Sequence, residues 1–203
     1  VRHLMLLAAG IACAAAPTAF AAAVDSPWIV HVGAHVVDPT SHTGRLAGIH
    51  ASVDSSTRPT FSIEYRWSDA WSVEALAALP FRHDVSLAGS RAVRVKQLPP
   101  VVGVNYRFLP HAAVTPFVGA GVNYTHFFDA KGRGLLQGAD VDLGDSWGLA
   151  WHAGVEIVLA PRWIATVDVR YIDIDSRVKV GGARVGTAHI DPWVYGASVG
   201  YRF

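Results

Sequence analysis

Counted back from the C-terminus, every second residue of the last eleven is apolar or aromatic: Phe203, Tyr201, Val199, Ala197, Tyr195 and Trp193. Between them lie Arg202, Gly200, Ser198 and Gly196, which are small or polar. A period of two marks a strand whose faces meet different surroundings, one apolar and one tolerant of charge. Aromatics at both ends of the apolar face match the interfacial girdles of a strand that crosses a bilayer.

The pattern recurs along the chain and predicts eight strands. The first, Trp28 to Val37, sets Trp28, Val30, Val32, Ala34 and Val36 against His31, Gly33 and His35. The second, Thr60 to Trp67, turns Phe61, Ile63, Tyr65 and Trp67 outward and Ser62, Glu64 and Arg66 inward. The third, Trp71 to Phe81, alternates Trp71, Val73, Ala75, Ala77, Leu79 and Phe81 with Ser72, Glu74, Leu76 and Ala78. The others are Leu98 to Phe108, Thr115 to Phe128, Trp147 to Leu159, Trp163 to about Ile174, and the C-terminal strand. Connections alternate long and short, with long polar stretches at about 38–58, 82–96, 129–145 and 175–189. Outer-membrane barrels have long extracellular loops and short periplasmic turns. An even, closed barrel also removes the sheet edges that lipid cannot satisfy.

The beginning of the chain agrees. Arg2 and His3 precede an apolar run, Leu4 to Ala12, and Thr18-Ala19-Phe20-Ala21 supplies an Ala-x-Ala cleavage site. The apolar core is too short to span a bilayer, so residues 1–21 read as a secretory signal peptide, cleaved after Ala21 or after Ala23. Cys13 belongs to that leader, since Gly10 stands where a lipoprotein signal wants a branched apolar residue. The rest of the chain then has no cysteine and no thiolate chemistry.

Removing residues 1–21 leaves 16 Lys and Arg, one fewer than the 17 of the full chain, against 16 Asp and Glu. That balance offers no basic footprint for nucleic acid. Hydrophobic residues make up 51% of the chain, yet no segment beyond the leader approaches the ~18 apolar residues of a membrane helix. Two β architectures remain, a membrane barrel and a soluble lipocalin-like barrel. The soluble one buries its apolar face inward. Here the second face carries Glu64, Arg66, Glu74, Arg107, Glu156, Asp168, Arg170 and Arg202. That much charge fits a paired network inside a barrel whose apolar face meets lipid. The fold class read from the sequence is therefore all-β: an eight-stranded antiparallel transmembrane β-barrel of outer-membrane type, over residues 22–203.

The order and spacing of short motifs extend this. They include Pro80-Phe81-Arg82-His83, Leu98-Pro99-Pro100, Pro116-Phe117-Val118-Gly119-Ala120-Gly121, Phe127-Phe128-Asp129, Asp145-Ser146-Trp147-Gly148, Tyr171-Ile172-Asp173-Ile174-Asp175, Asp191-Pro192-Trp193-Val194 and Gly200-Tyr201-Arg202-Phe203. From the first strand to the C-terminus the chain resembles the OmpW family of small outer-membrane barrels. The resemblance implies passive passage of small hydrophobic compounds through an apolar funnel, with lateral exit into the bilayer. It implies a Gram-negative outer-membrane location, among lipid and lipopolysaccharide. A strand ending on Tyr201 and Phe203 also looks like the signal read by the barrel-assembly machinery.

Strand parity places the inward residues near the extracellular ends: Val37, Ala78, Pro80, Val101, Phe127, Ile172 and Val194, with Leu76 at a site where the family can narrow the lumen. These form the expected solute path. The charged residues lie lower, and an eight-stranded barrel is barely wide enough for its own side chains. They are expected to plug the floor. Pro99, Pro100 and Pro116 lack a ladder donor, so they either loosen the wall or punctuate strand ends. Arg170 stands where an apolar constriction would want an apolar partner, with Asp168 or Glu74 as its counter-ion. Either the funnel ends above Arg170 or the solute is more polar.

Other chemistries are weaker. His31 and His35 are four apart on a strand, about 13 Å, too far for one metal ion, and His152 and Glu156 share that spacing. Ser146, His152 and Asp168 could be assembled as a hydrolytic triad, but no motif marks them. Gly119-Ala120-Gly121 opens no helix and so is no phosphate loop. Asp173 and Asp175 could bind a divalent cation or simply end a strand in solvent. The expectation is a channel with no catalytic residues, no metal and no cofactor. A structural or stress-related barrel acting through its loops is the alternative.

Overall fold

The computed structural model describes residues 26–40, 45–46 and 48–203. The leader assigned to residues 1–21 lies outside them. The strands are β1 (Trp28–Asp38), β2 (Arg45–Leu46), β3 (Ile49–Val53), β4 (Ser56–Arg66), β5 (Trp71–Ala78), β6 (Phe81–Leu87), β7 (Ser90–Leu98) and β8 (Val101–Arg107). They continue with β9 (Val114–Gly132), β10 (Val141–Leu143), β11 (Ser146–Ala160), β12 (Trp163–Ile172), β13 (Asp175–Val180), β14 (Ala183–His189) and β15 (Trp193–Arg202).

Eight of these, β1, β4, β5, β8, β9, β11, β12 and β15, pair antiparallel in that order, and β15 pairs with β1 to close the barrel. Closure removes the open sheet edges that lipid could not satisfy. The alternation in the sequence is the alternation in space. Val32, Ile63, Val102, Val122, Leu149, Val167 and Val199 lie exposed on the outer wall, while His31, Glu64, Arg107, His152 and Asp168 are buried inside. At the end with short turns the aromatics form a belt of touching rings, including Trp28 with Tyr65, Trp71 with Tyr106, and Trp163 with Tyr201. At the other end Tyr124 meets Trp147 and Tyr171 meets Trp193. The two belts mark the membrane boundaries.

Two expectations need correction. The third strand does not run on to Phe81. It stops at Ala78, and Pro80 interrupts the ladder. The break shifts the parity, so Phe81 turns inward and is buried rather than facing lipid. Second, the long stretches read as polar loops are largely strand. Hairpin β6–β7 turns at Ala88 and Gly89, and β13–β14 turns at Gly181 and Gly182. All four turn residues have positive φ, as two-residue hairpins with native twist require. Strand β9 passes the expected end at Phe128 and reaches Gly132, pairing first with β8 and then with β7. The extracellular sheet β9–β7–β6–β3–β2 thus rises directly from the barrel wall, and a second sheet, β10–β13–β14, stands with it. Their inner faces form one apolar cluster with Val37, Val101, Ala150, Ile172 and Val194 at the barrel mouth.

Candidate functional site

The barrel floor is a two-tier ion-pair network. In the lower tier Arg107 is fully buried and central. Its Nε donates to Glu156 Oε1 and Oε2 at 3.1 and 3.0 Å, its Nη1 to Ser72 Oγ at 3.0 Å, and its Nη2 to both Glu156, at 2.8 Å, and Glu64. Arg66 adds bonds to Glu156 at 2.7 Å and Glu64 at 3.3 Å, and His31 approaches Glu64 at 3.2 Å. In the upper tier Arg170 Nε donates to Asp168 at 2.6 Å and its Nη2 to Glu74 at 3.2 Å. Glu64 and Glu74 stand opposite each other on β4 and β5, yet each is answered by a different arginine. Seven of the eight residues assigned to the charged layer join these pairs. Arg202 is the exception: it lies at the edge of the layer, and its Nε has no hydrogen-bond partner among the described residues.

Glycines make room for the lumen histidines. His31 stands across from Gly200, His35 from Gly196 and His152 from Gly119. A Cβ on those glycines would come within 2.6, 2.1 and 2.3 Å of the imidazole atoms. His35 Nδ1 bonds to Thr60 Oγ1 at 2.7 Å and its Nε2 lies 3.4 Å from Asp168; His152 Nε2 bonds to Asn105 Oδ1 at 2.6 Å. The small residues of the Gly119–Gly121 run are therefore a packing device.

Above the network the lumen changes character. Leu76 lines the polar cavity of the floor and also packs against the apolar cluster, so it sits on the boundary. Val37, Val101, Ile172 and Val194 form the next layer, each almost fully buried, with Ala78 packed beside them. Pro80 is half-buried in the β5–β6 link and takes no part in the cluster; its carbonyl accepts from Arg58 Nε at 3.0 Å. Arg170, one inward step below Ile172 and opposite Val194, turns its guanidinium to Asp168 and Glu74, so the apolar layer gives way to the ion pairs there.

The apolar space itself lies higher than the strand pattern indicates. It is a small apolar chamber of about 30 Å³ between the two extracellular sheets, lined by twelve apolar residues and two polar ones, His83 and Gln97. Of the assigned solute-path residues only Phe127 lines it; most of the rest form its base or the layer beneath. Val85, Val93, Val95, Leu143, Val178 and Ile190 are the walls that sequence reasoning missed. Their signal was present as alternation with charge, as in Val93-Arg94-Val95-Lys96 and Val178-Lys179-Val180. The two polar residues satisfy each other: His83 Nδ1–H donates to the Asp54 carbonyl at 2.6 Å, and Gln97 Nε2 donates to His83 Nε2 at 3.1 Å. Burial pushes the His83 imidazole below its usual value, which keeps it neutral.

The wall below the chamber has a break. Strands β5 and β8 pair up to Leu76 opposite Val101, and β6 and β7 resume at Phe81 opposite Gln97. Between them, residues 77–80 face 98–100 without a ladder pair among the described residues. Three of these seven residues are prolines, Pro80, Pro99 and Pro100. Pro116 plays no part, since it pairs with Val155 near the opposite end of the barrel.

Catalytic and metal arrangements fare as follows. Ser146 and His152 lie six residues apart on one strand, about 20 Å, so they form no triad. Ser146 Oγ instead accepts from Asp175 N–H at 2.9 Å. His31 and His35 pair with different carboxylates. The acidic run does gather ligand atoms: those of Asp175, His189 and Asp191 lie within 4.8 Å of one another on the extracellular rim. Burial and the nearby Asp191 and Asp175 carboxylates raise the Asp173 carboxyl above its usual range.

Fold and site together define a small outer-membrane β-barrel with an ion-paired floor and an apolar extracellular chamber. Residues 26–203 match the model of the OmpW family, and the chain belongs to that family of outer-membrane proteins. Outer membrane protein W of Escherichia coli K12 is 36% identical over 192 residues, covering 87% of this chain and 88% of that protein. The crystal structure of OprG from Pseudomonas aeruginosa superposes with a TM-score of 0.77 at 32% identity, covering 88% of this chain and 96% of that one. PahQ of Pseudomonas aeruginosa, named as a dibenzothiophene metabolism operon protein, is 26% identical over the full length of both chains.

Proposed function

We propose that this protein is a passive outer-membrane channel for small hydrophobic molecules. A solute enters the extracellular chamber, meets the apolar layer of Val37, Val101, Ile172 and Val194, and leaves sideways through the break between β5–β6 and β7–β8. The observation that carries this reading is the change of character along one axis: an apolar chamber stands over an ion-paired floor. A polar solute gains nothing in the chamber, and the floor leaves no aqueous path for one to continue. An apolar solute is stabilised by about 25 cal/mol per Å² of surface it buries there. Prolines at the wall break cannot donate to a ladder, which supports lateral exit at that point. The name of PahQ, drawn from an operon for an aromatic sulfur heterocycle, is in keeping with an apolar solute. No catalytic, metal or cofactor role is part of the proposal.

The reading assigns Tyr201 and Phe203 to barrel assembly, because both face outward at the end of the closing strand and pack edge to face. It also retains residues 1–21 as a cleaved leader.

The test is transfer of an aromatic hydrocarbon into proteoliposomes holding the refolded barrel. Val95→Asp places a charge in the chamber wall and should abolish the protein-dependent component. A floor variant that keeps its fold should leave that component intact. Equal transfer by the Val95→Asp protein would end the uptake reading and favour a structural barrel acting through its extracellular sheets.

A further inference from the structure

The outer face of the extracellular sheet carries more positive charge than its own pairing can use. On β6, β7 and the upper part of β9 five bases, Arg82, Arg91, Arg94, Lys96 and Lys131, turn away from the chamber, and Arg133 follows just past the end of β9. They face two acids, Asp84 and Asp129, with Asp54 at the edge of the patch. Both acids are already shared. Asp84 accepts from Arg94 at 2.7 and 3.1 Å and lies 3.9 Å from Arg91, while Asp129 takes Lys96 at 2.7 Å and Lys131 at 2.9 Å. Those bonds hold Asp84 low and Asp129 down to about 2, so neither gives up its charge near neutral pH. Arg82 and Arg133 have no ion pair among the described residues.

The register makes the surplus a positive cost. Arg82 stands directly opposite Lys96 across β6–β7, and Arg94 directly opposite Lys131 across β7–β9. Like charges facing each other across a sheet destabilise it, and an anion between them reverses the sign. Height identifies the anion. Leu79, half exposed on the lipid-facing wall, is three residues below Arg82, about 10 Å along the strand. The bases therefore begin just above the apolar edge, where the outer leaflet presents its phosphates.

We propose that this face is a docking surface for the phosphate groups of lipopolysaccharide, with the Arg82–Lys96 and Arg94–Lys131 pairs as its centres. The surface lies directly over the wall break but does not depend on what passes through it.

The test uses the full chain refolded in neutral detergent. The probes are purified lipopolysaccharide carrying its lipid A phosphates and the same material after enzymatic dephosphorylation. Binding should need the phosphates and should weaken with salt. The triple variant Arg82→Ser, Arg91→Ser, Arg133→Ser leaves the strongest ion pairs in place. It should bind about 10- to 100-fold more weakly, with the heat-modifiable band of a folded barrel unchanged. Arg82→Ser alone should raise the unfolding midpoint without lipopolysaccharide, since it removes repulsion against Lys96, and lose that gain when the lipid is present. Equal binding of the dephosphorylated lipid would overturn the proposal even if the variants failed to fold. So would unchanged affinity in the folded triple variant, or tighter binding to heparin than to lipopolysaccharide.

Discussion

Replacing Arg107 by leucine probes the floor of the barrel directly. The guanidinium holds both oxygens of Glu156, bonds to Glu64 and to Ser72, and is almost completely buried. Leucine fills much of its volume but leaves two buried carboxylates. Glu156 then keeps only the Arg66 contact at 2.7 Å, and Glu64 keeps Arg66 at 3.3 Å and His31 at 3.2 Å. Glu64 and Glu156 are then left with one hydrogen-bonded arginine, Arg202 acting on them only through space, and removing a partner from such a buried pair costs about 3–5 kcal/mol. The Arg66 side chain is 14% exposed, so water reaches this tier and the lower end, ~3 kcal/mol, is expected. The double variant Arg107→Leu, Glu156→Leu removes both members of the closest pair and returns the tier to balance. It should recover at least ~2 kcal/mol relative to the single variant. Equilibrium urea unfolding in lipid vesicles, followed by tryptophan fluorescence, measures both. Planar-bilayer conductance supplies an independent readout, because a floor without Arg107 should pass more ions than the native one. A single-variant loss under ~1 kcal/mol, or a double variant less stable than the single, would refute the view that charge balance holds the floor together.

Three further expectations follow from the same geometry. Gly119→Ala should cost about 1–3 kcal/mol by the same unfolding assay, since its Cβ would fall 2.3 Å from His152 Nε2 and 2.4 Å from Asn105 Oδ1; a neutral change would show that the histidine packs elsewhere. Burial lowers the His83 imidazole from its ordinary 6.5, so its stabilising contribution is complete above that pH and is lost as pH falls below it. Amides of β3 and β6, corrected for intrinsic exchange, should lose hydrogen-exchange protection between pH 7 and pH 5 while the barrel strands keep theirs; an imidazole titrating at the ordinary value would contradict this. Deleting Phe203 should slow assembly into the outer membrane and leave refolding in detergent nearly unchanged, and normal assembly by heat-modifiability in cells would remove its assigned role.

The barrel was legible because lipid on one side imposes a strict period of two, visible in runs such as Phe61-Ser62-Ile63-Glu64-Tyr65-Arg66. The floor was legible for the same reason: charge on the inward parity has no other place to go. The need to neutralise a buried guanidinium offered Asp168 or Glu74 as the partner of Arg170, and in the structure it bonds to both. The chamber was not read, because its walls are short strands with water on one face, and their charged alternation resembles an ordinary loop. Phe81 was misplaced because Leu79 and Phe81 continue the apolar parity in sequence while Pro80 breaks it in space. The partner of each glycine could not be found at all from one sequence, since register is a long-range property.

The three histidine–glycine pairs set a rule for how this barrel can change. Each imidazole occupies the volume that a side chain on the opposing strand would need. Neither member can be altered freely alone: a larger residue at Gly196 evicts His35, and a smaller one at position 35 leaves a hole that only growth at position 196 would fill. Substitutions at such sites should be inherited as compensating couples, so the lumen evolves, and should be redesigned, by cross-strand pairs rather than by single positions.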